Sequence, residues 1–252
     1  MLNIQHLTKA YGGKKAVDDL SLHIRPGEIY GFIGHNGAGK TTTLKSCCGI
    51  LQFDEGDILV DGVSIRQDPL ACKRRLAYIP DNPDLYEYMT GIQYLDFVAD
   101  VFGVTAADRA GRIRRYGDAF GLTEDLAQPV SAYSHGMKQK LAILSALVHA
   151  PRLLLMDEPF VGLDPRASHQ LKVLMRQFCG EGGAIFFSTH VLEVAEKLCD
   201  KVAIIRAGRL VRAGTMEQVK GDDSLEEVFL ELEGDEPRRR SGLREEPDRP
   251  PA

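Results

Sequence analysis

The sequence lacks a long hydrophobic run. Nowhere in its 252 residues do 18 apolar residues follow one another, and residues 1–15 contain no apolar stretch of signal-peptide length. A membrane-spanning helix needs about 20 mostly apolar residues, and a secretory signal needs an apolar stretch of about 7 to 15. We therefore expect a protein that neither spans a membrane nor is exported.

An excess of basic charge is also lacking. The chain has 31 Lys and Arg residues against 36 Asp and Glu residues, which gives a formal net charge of -5. Domains that bind nucleic acid usually present a basic surface to its phosphate backbone. We therefore predict that nucleic acid is not among the partners.

Cysteine is scarce and irregularly spaced. The five cysteines, at positions 47, 48, 72, 179 and 199, are odd in number and form no C-x-x-C pair. Disulfide frameworks and zinc sites use paired cysteines at regular spacings. These cysteines are therefore predicted to be reduced thiols inside the core of a globular protein.

One complete motif is present at residues 34–41. These residues fit the phosphate-loop pattern G-x-x-x-x-G-K-[ST] at every required position, in the order Gly34, His35, Asn36, Gly37, Ala38, Gly39, Lys40, Thr41. The glycines let backbone N–H groups turn towards phosphate oxygens, Lys40 supplies a charge for the outer phosphates, and Thr41 supplies a hydroxyl for Mg²⁺. A buried strand predicted at 28–33 and a helix predicted at 42–48 favour a nucleotide site over a glycine-rich turn.

Two further strands are predicted to deliver polar side chains. The apolar run 152–156 is typical of a central parallel strand and leads to Asp157 and Glu158, and the run 183–187 leads to His190. Ligands bind at the carboxyl ends of such strands. There Asp157 can bind Mg²⁺ and Glu158 can accept a proton from an attacking water; a surface turn is the alternative. His190 either contacts a terminal phosphate or is structural.

The remaining patterns predict an α/β fold and indicate which segments of the chain form strands and which form helices. Apolar stretches within 2–24 predict strands of a separate small sheet, and helical periodicity predicts a helical insertion over about 84–150. A hairpin is predicted over 201–213 and a final helix over 224–232. The segment 233–252 is rich in Pro, Arg and acidic residues and is predicted to be a disordered tail.

In this order and spacing, the elements resemble the ATP-binding subunit of ABC transporters over residues 2–232. The resemblance implies a P-loop NTPase (RecA-like) core with an antiparallel β subdomain and an inserted α-helical subdomain. It also implies ATP and Mg²⁺ as cofactors. Residues 34–41 correspond to the Walker A loop, 153–157 to Walker B, and 161–164 to the D-loop.

The resemblance also implies roles for single residues. Glu158 corresponds to the general base, His190 to the switch histidine, and Lys40 to a catalytic phosphate contact. The implied metal ligands are Thr41, Asp81 and Asp157. The implied nucleotide contacts are Tyr11, Gly34, His35, Asn36, Gly37, Ala38, Gly39, Lys40, Thr41, Thr42, Asp81, Ser134 and Gly136. For Tyr11, the local pattern alone favours a turn-capping ring, whereas the resemblance favours stacking on the base.

Two places depart from the family's common pattern. The signature, usually Leu-Ser-Gly-Gly-Gln, stands here as Tyr133–Met137, and it keeps only the serine, Ser134, and the second glycine, Gly136. The Q-loop glutamine is replaced by Asp81, whose carboxylate can reach Mg²⁺ but changes the local charge. These departures, and the ending 224–230, resemble the branch that serves bacterial export-type permeases.

The resemblance implies two protein partners. One is an integral-membrane permease subunit, and the other is a second ATP-binding subunit, either a copy of this chain or a different one. The implied location is peripheral, at the cytoplasmic face of the inner membrane. The permease contact is expected near 81–89, where a cluster of Leu85, Tyr86, Tyr88 and Met89 is either this contact or part of the core. A soluble non-transport ABC-type ATPase is the alternative function.

Overall fold

A computed structural model describes residues 1–234 of the chain. The predicted disordered tail, 233–252, lies outside the described residues from position 235 onward. Within residues 1–234, no helix combines the length and the apolar character that crossing a bilayer requires.

Ten strands form two sheets within the described residues. They are β1 (Leu2–Tyr11), β2 (Lys14–Ile24), β3 (Ile29–Ile33), β4 (Glu55–Val60), β5 (Val63–Ser64), β6 (Leu76–Ile79), β7 (Leu153–Asp157), β8 (Ala184–Thr189), β9 (Lys201–Arg206) and β10 (Arg209–Thr215). One sheet has the order β2-β1-β4-β5, and the other has the order β10-β9-β3-β8-β7-β6.

The six-stranded sheet is parallel except for β10, which pairs antiparallel with β9. Every residue of β3, β7 and β8 is buried. Strands covered on both faces read as unbroken apolar runs, which is why the sequence pattern identified them. The parallel pairing brings the carboxyl ends of these three strands to one edge of the sheet.

The four-stranded sheet is antiparallel, with Leu2 opposite both Ile24 and Val60. The prediction of a separate small sheet is therefore confirmed. The predicted hairpin over 201–213 is also confirmed, because β9 and β10 pair and turn at Ala207 and Gly208, which have φ angles of 48° and 81°.

Nine α-helices and two short 3-10 helices, Thr123–Asp125 and Val130–Ala132, complete the described part of the chain. The α-helices are α1 (Lys40–Cys47), α2 (Pro69–Lys73), α3 (Gly91–Val101), α4 (Ala106–Phe120), α5 (His135–Val148), α6 (Pro165–Gly180), α7 (Leu192–Leu198), α8 (Met216–Lys220) and α9 (Leu225–Glu233). The predicted helix over 42–48 begins earlier, at Lys40, because Gly39 with φ 111° is its N-cap. The last helix, predicted from 224, begins at Leu225 because Ser224 is its N-cap.

Helices α3, α4 and α5 lie within the span that was predicted to be helical, 84–150. Thr90, Thr105 and Ser134 cap these helices, each accepting a backbone N–H bond from the first turn. Such caps are worth about 0.5–2 kcal/mol each, so these starts are well defined. The predicted cap at Ser134 is confirmed by its bond from the Met137 N–H, at 3.3 Å.

The six-stranded sheet separates two apolar cores. Neighbouring residues of β8 point to opposite sides, so that Phe186 packs with the antiparallel sheet and Phe187 packs with the helices. Fully burying a side chain of this size contributes about 1.5–3 kcal/mol. All five cysteines are buried and free, which confirms that they are core thiols.

Candidate functional site

The phosphate loop, residues 34–41, connects β3 to α1. Gly37 and Gly39 have φ angles of 82° and 111°, a region that strains other residues. A Cβ atom added at Gly34 would lie 2.5 Å from the carbonyl oxygen of Ile205, and one at Gly39 would lie 2.4 Å from that of Ala16. Gly34 and Gly39 are therefore needed because other segments of the backbone lie too close for a side chain. Gly37 and Gly39 are needed because the backbone turns sharply there.

Helix α1 begins without a side-chain cap, so its N-terminus faces the loop with its partial positive charge exposed. The side chain of Lys40 is 6% exposed, and its Nζ donates to the carbonyl oxygens of Gly34, at 2.5 Å, and His35, at 3.2 Å. Backbone dipole and lysine charge therefore converge on one place, which suits a phosphate.

Two carboxylates lie near the positive charge of Lys40. Its Nζ lies 3.7 Å from Oε1 of Glu158, an ion-pair distance that is too long for a hydrogen bond. Burial lowers the pKa of Lys40, and the negative charges of Glu158 and Asp157 oppose that shift. An arriving phosphate would add negative charge and favour the protonated amine further.

Asp157 is the last residue of β7, and it is 2% exposed. Its Oδ2 accepts a hydrogen bond from the Thr41 hydroxyl at 2.6 Å, and its Oδ1 accepts one from the Ser188 hydroxyl. The Asp157 carboxylate thus joins the start of α1 to the end of β8. Because hydroxyls hold both of its oxygens, its orientation is fixed.

Glu158 follows in a strained conformation, with φ 46°. Its backbone N–H donates to Ser188 Oγ at 3.1 Å, and its Oε2 accepts the His190 backbone N–H at 3.3 Å. The Oε2 atom also lies 3.0 Å from Nδ1 of His190. The other oxygen, Oε1, is buried and accepts no hydrogen bond from the protein. It is therefore available to accept one from a ligand.

The donor set suits Mg²⁺ bound together with a nucleotide. Mg²⁺ is usually held by one or two carboxylates or hydroxyls together with substrate phosphates and waters. The Thr41 hydroxyl and the Asp157 carboxylate already meet at 2.6 Å. Among residues 1–234, no group of three or more His, Cys, Asp or Glu side chains could bind a metal by itself. The residues present thus fit an ion that shares its ligands with a nucleotide.

A cavity of about 370 Å³ lies over the loop. Its lining residues are Ala16, His35, Asn36, Gly37, Gly39, Lys40, Thr41, Thr42, Asp81, Asp157 and Glu158. Asp81, just beyond β6, therefore faces the same space as the loop, and its Oδ1 accepts the Asn82 N–H at 2.8 Å. A larger cavity, of about 930 Å³, lies among α3, α4 and residues 123–127 and contains none of the predicted site residues.

Five predicted nucleotide contacts do not line this cavity: Gly34 and Ala38 within the loop itself, and Tyr11, Ser134 and Gly136 outside it. Tyr11 ends β1 with 51% of its surface exposed, and Lys9 Nζ lies 5.2 Å from its ring centre. Ser134 is the exposed N-cap of α5, and Gly136, in the first turn of that helix, packs against the loop 161–164. A Cβ atom at Gly136 would lie 2.9 Å from the carbonyl oxygen of Gly162. One chain alone therefore does not bring the signature to its own phosphate loop.

Sequence reasoning missed several residues around the site. Ser188 binds Asp157, Ala16 lines the cavity, and Gly208 donates its N–H to the carbonyl of Ala38 at 3.0 Å. Phe229 packs its ring against His35. Only Ser188 carried a usable signal, because it lies two residues before His190 at the end of a predicted strand.

Comparison with known proteins agrees with this geometry. The family model described as ABC transporter matches residues 17–161. An uncharacterized ABC transporter ATP-binding protein, YhcH of Bacillus subtilis, is 35% identical over 238 residues, covering 92% of this chain and 75% of YhcH. The linearmycin resistance ATP-binding protein LnrL of the same organism is 34% identical over 215 residues, covering 85% of this chain and 69% of LnrL.

The solved structures agree as well. The ATP-binding subunit of an ABC transporter superposes with a TM-score of 0.89 at 34% sequence identity, covering 92% of this chain and 99% of that one. This agreement confirms the predicted P-loop NTPase class. This chain belongs to the ABC transporter family, as an ATP-binding subunit that hydrolyses ATP.

Proposed function

We propose that the chain powers a separate membrane permease, for export, by nucleotide-driven closure of a dimer of ATP-binding subunits. The observation that carries the proposal is the position of Ser134. It is exposed at the start of a 14-residue helix, and it does not line its own chain's nucleotide cavity. A second subunit facing it head to tail would supply the phosphate that this helix start can bind.

The nucleotide-binding roles of residues within one subunit are assigned from their charge and from their position around the cavity. Lys40 and the N–H groups of residues 34–41 bind the phosphates, and Thr41 and Asp157 hold Mg²⁺, with Asp81 facing the same space. The ion supplies charge neutralisation of the phosphates during transfer. Tyr11 is proposed to stack on the base, at the exposed end of the antiparallel sheet.

Hydrolysis requires a proton acceptor for the attacking water. The Oε1 atom of Glu158 is buried, has no hydrogen bond from the protein and is 3.7 Å from Lys40 Nζ. As the water oxygen attacks the γ-phosphorus in line, its proton moves to this carboxylate and the bond to ADP breaks. The N–H of His190 orients Glu158 from the other side, and the His190 ring contacts the released phosphate.

The proposed permease contact is a cluster of exposed aromatic rings that begins five residues after Asp81 in the sequence. Tyr86 and Tyr88 are 45% and 80% exposed and stack with ring centres 5.8 Å apart, and Phe97 of α3 lies 5.6 Å from Tyr86. Leu85, by contrast, is buried. The predicted cluster therefore divides into the core residue Leu85, the half-buried Met89, and the exposed rings of Tyr86 and Tyr88. Exposed neighbouring aromatics are typical of protein interfaces.

Export is favoured over import by the relatives' names rather than by geometry. LnrL is described as a linearmycin resistance protein. Resistance to an antibiotic is commonly achieved by pumping it out. The proposed location follows from the permease: peripheral, at the cytoplasmic face of the inner membrane.

The test is purification of the tagged full chain from detergent-solubilised membranes, followed by identification of companion chains and an ATPase assay. We expect a polytopic membrane protein in stoichiometric amount, and ATPase activity that rises when it is present. A Tyr86→Ala, Tyr88→Ala variant should lose the companion and keep its basal ATPase activity. A protein that is fully active without membranes and co-purifies with no membrane protein would instead favour the soluble, non-transport ATPase.

A further inference from the structure

The last helix, α9, touches the phosphate loop. The ring of Phe229 meets the ring of His35 edge to face, with centroids 4.9 Å apart and an interplanar angle of 64°. Phe229 is 7% exposed and belongs to the core on the helical side of the sheet. His35, the second residue of the loop, is exposed and lines the nucleotide cavity. A buried ring of α9 therefore packs against a loop residue that lines the nucleotide cavity, without lining that cavity itself.

The backbone of His35 is connected to the groups that bind phosphate. Its carbonyl oxygen accepts the Ala38 N–H at 3.1 Å and the Lys40 Nζ at 3.2 Å. A displacement of His35 would therefore move the anchor of Lys40 and the turn that aims the loop's N–H groups. This pathway runs from Phe229 through His35 to Lys40.

The hairpin β9–β10 also contacts the loop. The Gly208 N–H donates to the Ala38 carbonyl at 3.0 Å, and a Cβ atom at Gly34 would lie 2.5 Å from the carbonyl of Ile205. The next residue, Arg206, donates from Nη1 to the Leu232 carbonyl at 2.6 Å. Hairpin and last helix are thus tied to each other as well as to the loop.

Helix α9 is fixed independently of the loop. Its first N–H, from Leu225, donates to Glu196 of α7 at 3.3 Å, and Glu196 also pairs with Lys220 of α8 at 2.6 Å. Leu225 and Val228 are buried beside Phe229. The helix therefore holds Phe229 in place before any ligand arrives.

We propose that Phe229 is a positioning residue for nucleotide binding. By supporting His35, it holds the phosphate loop in its binding conformation, so that less ordering is left for the ligand to impose. Pre-ordering of this kind raises affinity without adding a contact to the ligand. Phe229 lies outside residues 17–161, the part that the family model matches. It is thus an addition to the residues of the recognised site.

The experiment titrates the full chain with a fluorescent ATP analogue in the presence of Mg²⁺. An edge-to-face aromatic pair is worth about 0.5–1.5 kcal/mol, so Phe229→Ala should raise the Kd about two- to tenfold. Phe229→Tyr keeps the ring and should bind like the unaltered chain. Leu230→Ala is the matched control, because Leu230 is on the same helix and 46% exposed, and its Kd should not change.

A double-mutant cycle separates positioning from general damage. In a His35→Ala background, Phe229→Ala should raise the Kd by clearly less than it does alone, because the ring it supports is gone. Phe229→Leu keeps apolar volume for folding and should still lose affinity, with the melting temperature recorded for every variant. A folded Phe229→Leu variant with unchanged Kd would overturn the proposal, as would an equal effect of Phe229→Ala in both backgrounds.

These titrations measure nucleotide binding by the chain alone, so their outcome does not depend on whether the chain drives transport. If the unaltered chain failed to bind the analogue, the proposed function itself would be lost. If the unaltered chain and Phe229→Leu bound it equally well, only the role of Phe229 would be lost.

Discussion

The two regions proposed to contact ATP, the phosphate loop and the start of α5, are built in different ways. The loop is enclosed by its own chain: Lys40 is 6% exposed, and Thr41 is bonded to Asp157, which is 2% exposed. Ser134 is instead exposed at a helix start, where its side chain accepts one N–H, that of Met137. The first region has its cavity-lining groups within one subunit, and in the proposed dimer the second would receive its phosphate from the facing subunit.

This difference separates two properties that an assay can measure. Substitutions in the loop region should alter nucleotide binding by a single chain or the rate of ATP hydrolysis. Changes at the start of α5 should leave binding by a single chain intact and reduce turnover only where two chains meet. The variants below test that separation.

The largest expected effect is on chemistry, with Glu158→Gln. The amide cannot accept the water's proton, so kcat should fall by about 10²- to 10⁴-fold while ATP remains bound. With ATP and Mg²⁺ the variant should accumulate as a closed dimer, visible by size-exclusion chromatography. Glu193→Gln is the control, because the Glu193 side chain is exposed on α7 and pairs with Lys197. Full turnover by Glu158→Gln would contradict its assignment as the base.

The next effect is on affinity, with Lys40→Ala. Charged hydrogen bonds are worth about 1.5–3 kcal/mol each, and Lys40 is placed to give more than one to the phosphates. We expect at least a hundredfold loss of affinity, measured by titration with a fluorescent ATP analogue. Lys45→Ala, at the other end of the same helix, should bind normally. If both variants bound ATP equally, Lys40 would not be a phosphate ligand.

A smaller effect is expected at the start of α5, with Ser134→Ala. Loss of one hydrogen bond from the Ser134 hydroxyl to the charged phosphate on the facing subunit should lower turnover about ten- to a hundredfold, with single-chain affinity unchanged. The variant also loses a helix cap, so Thr105→Ala, which removes the cap of α4, controls for stability. Equal activity of the two variants would remove the argument for a shared site.

The sequence predicted the elements whose signals are local. The phosphate-loop motif lies within eight positions, and the buried strands before it and before Asp157 have continuous apolar runs. The helical layer and the hairpin likewise have their own periodicities. The structure brings Lys40, Thr41, Asp157 and Glu158 to one cavity because the motif and the parallel strands end at the same edge of the sheet.

The contacts that could not be predicted from the sequence join residues that are far apart along the chain. The bond from Ser188 to Asp157 depends on β7 and β8 being neighbours, and the Phe229 contact depends on where α9 packs. Strand order is not written in any local pattern, since β3 lies between β8 and β9 although it precedes both by more than a hundred residues. The departure of the signature at His135 was visible, but its packing against Gly162 was not.

The smallest expected effect concerns the far end of α5, at His149, where the helical layer meets β6. The ring stacks on Phe102 with centroids 3.8 Å apart, and its Nε2 is 3.3 Å from the carbonyl oxygen of Leu76, the first residue of β6. Its Nδ1 is buried without a hydrogen-bond partner. Burial lowers the pKa of His149 below its ordinary value of 6.5; the bond to Leu76 opposes this shift, and the charge of Arg112 adds to it.

Because the folded chain holds His149 with a lowered pKa, the unfolded chain binds more protons as the pH falls below about 6.5. The free energy of unfolding that His149 contributes is therefore present above that pH and is lost below it, at no more than about 1.4 kcal/mol per pH unit. Urea unfolding at about pH 7.5 and about pH 5.5 should show a larger acid loss for the unaltered chain than for His149→Gln. Identical acid losses would show that protonation of His149 does not loosen the junction between Ser134's helix and the strand that leads to Asp81.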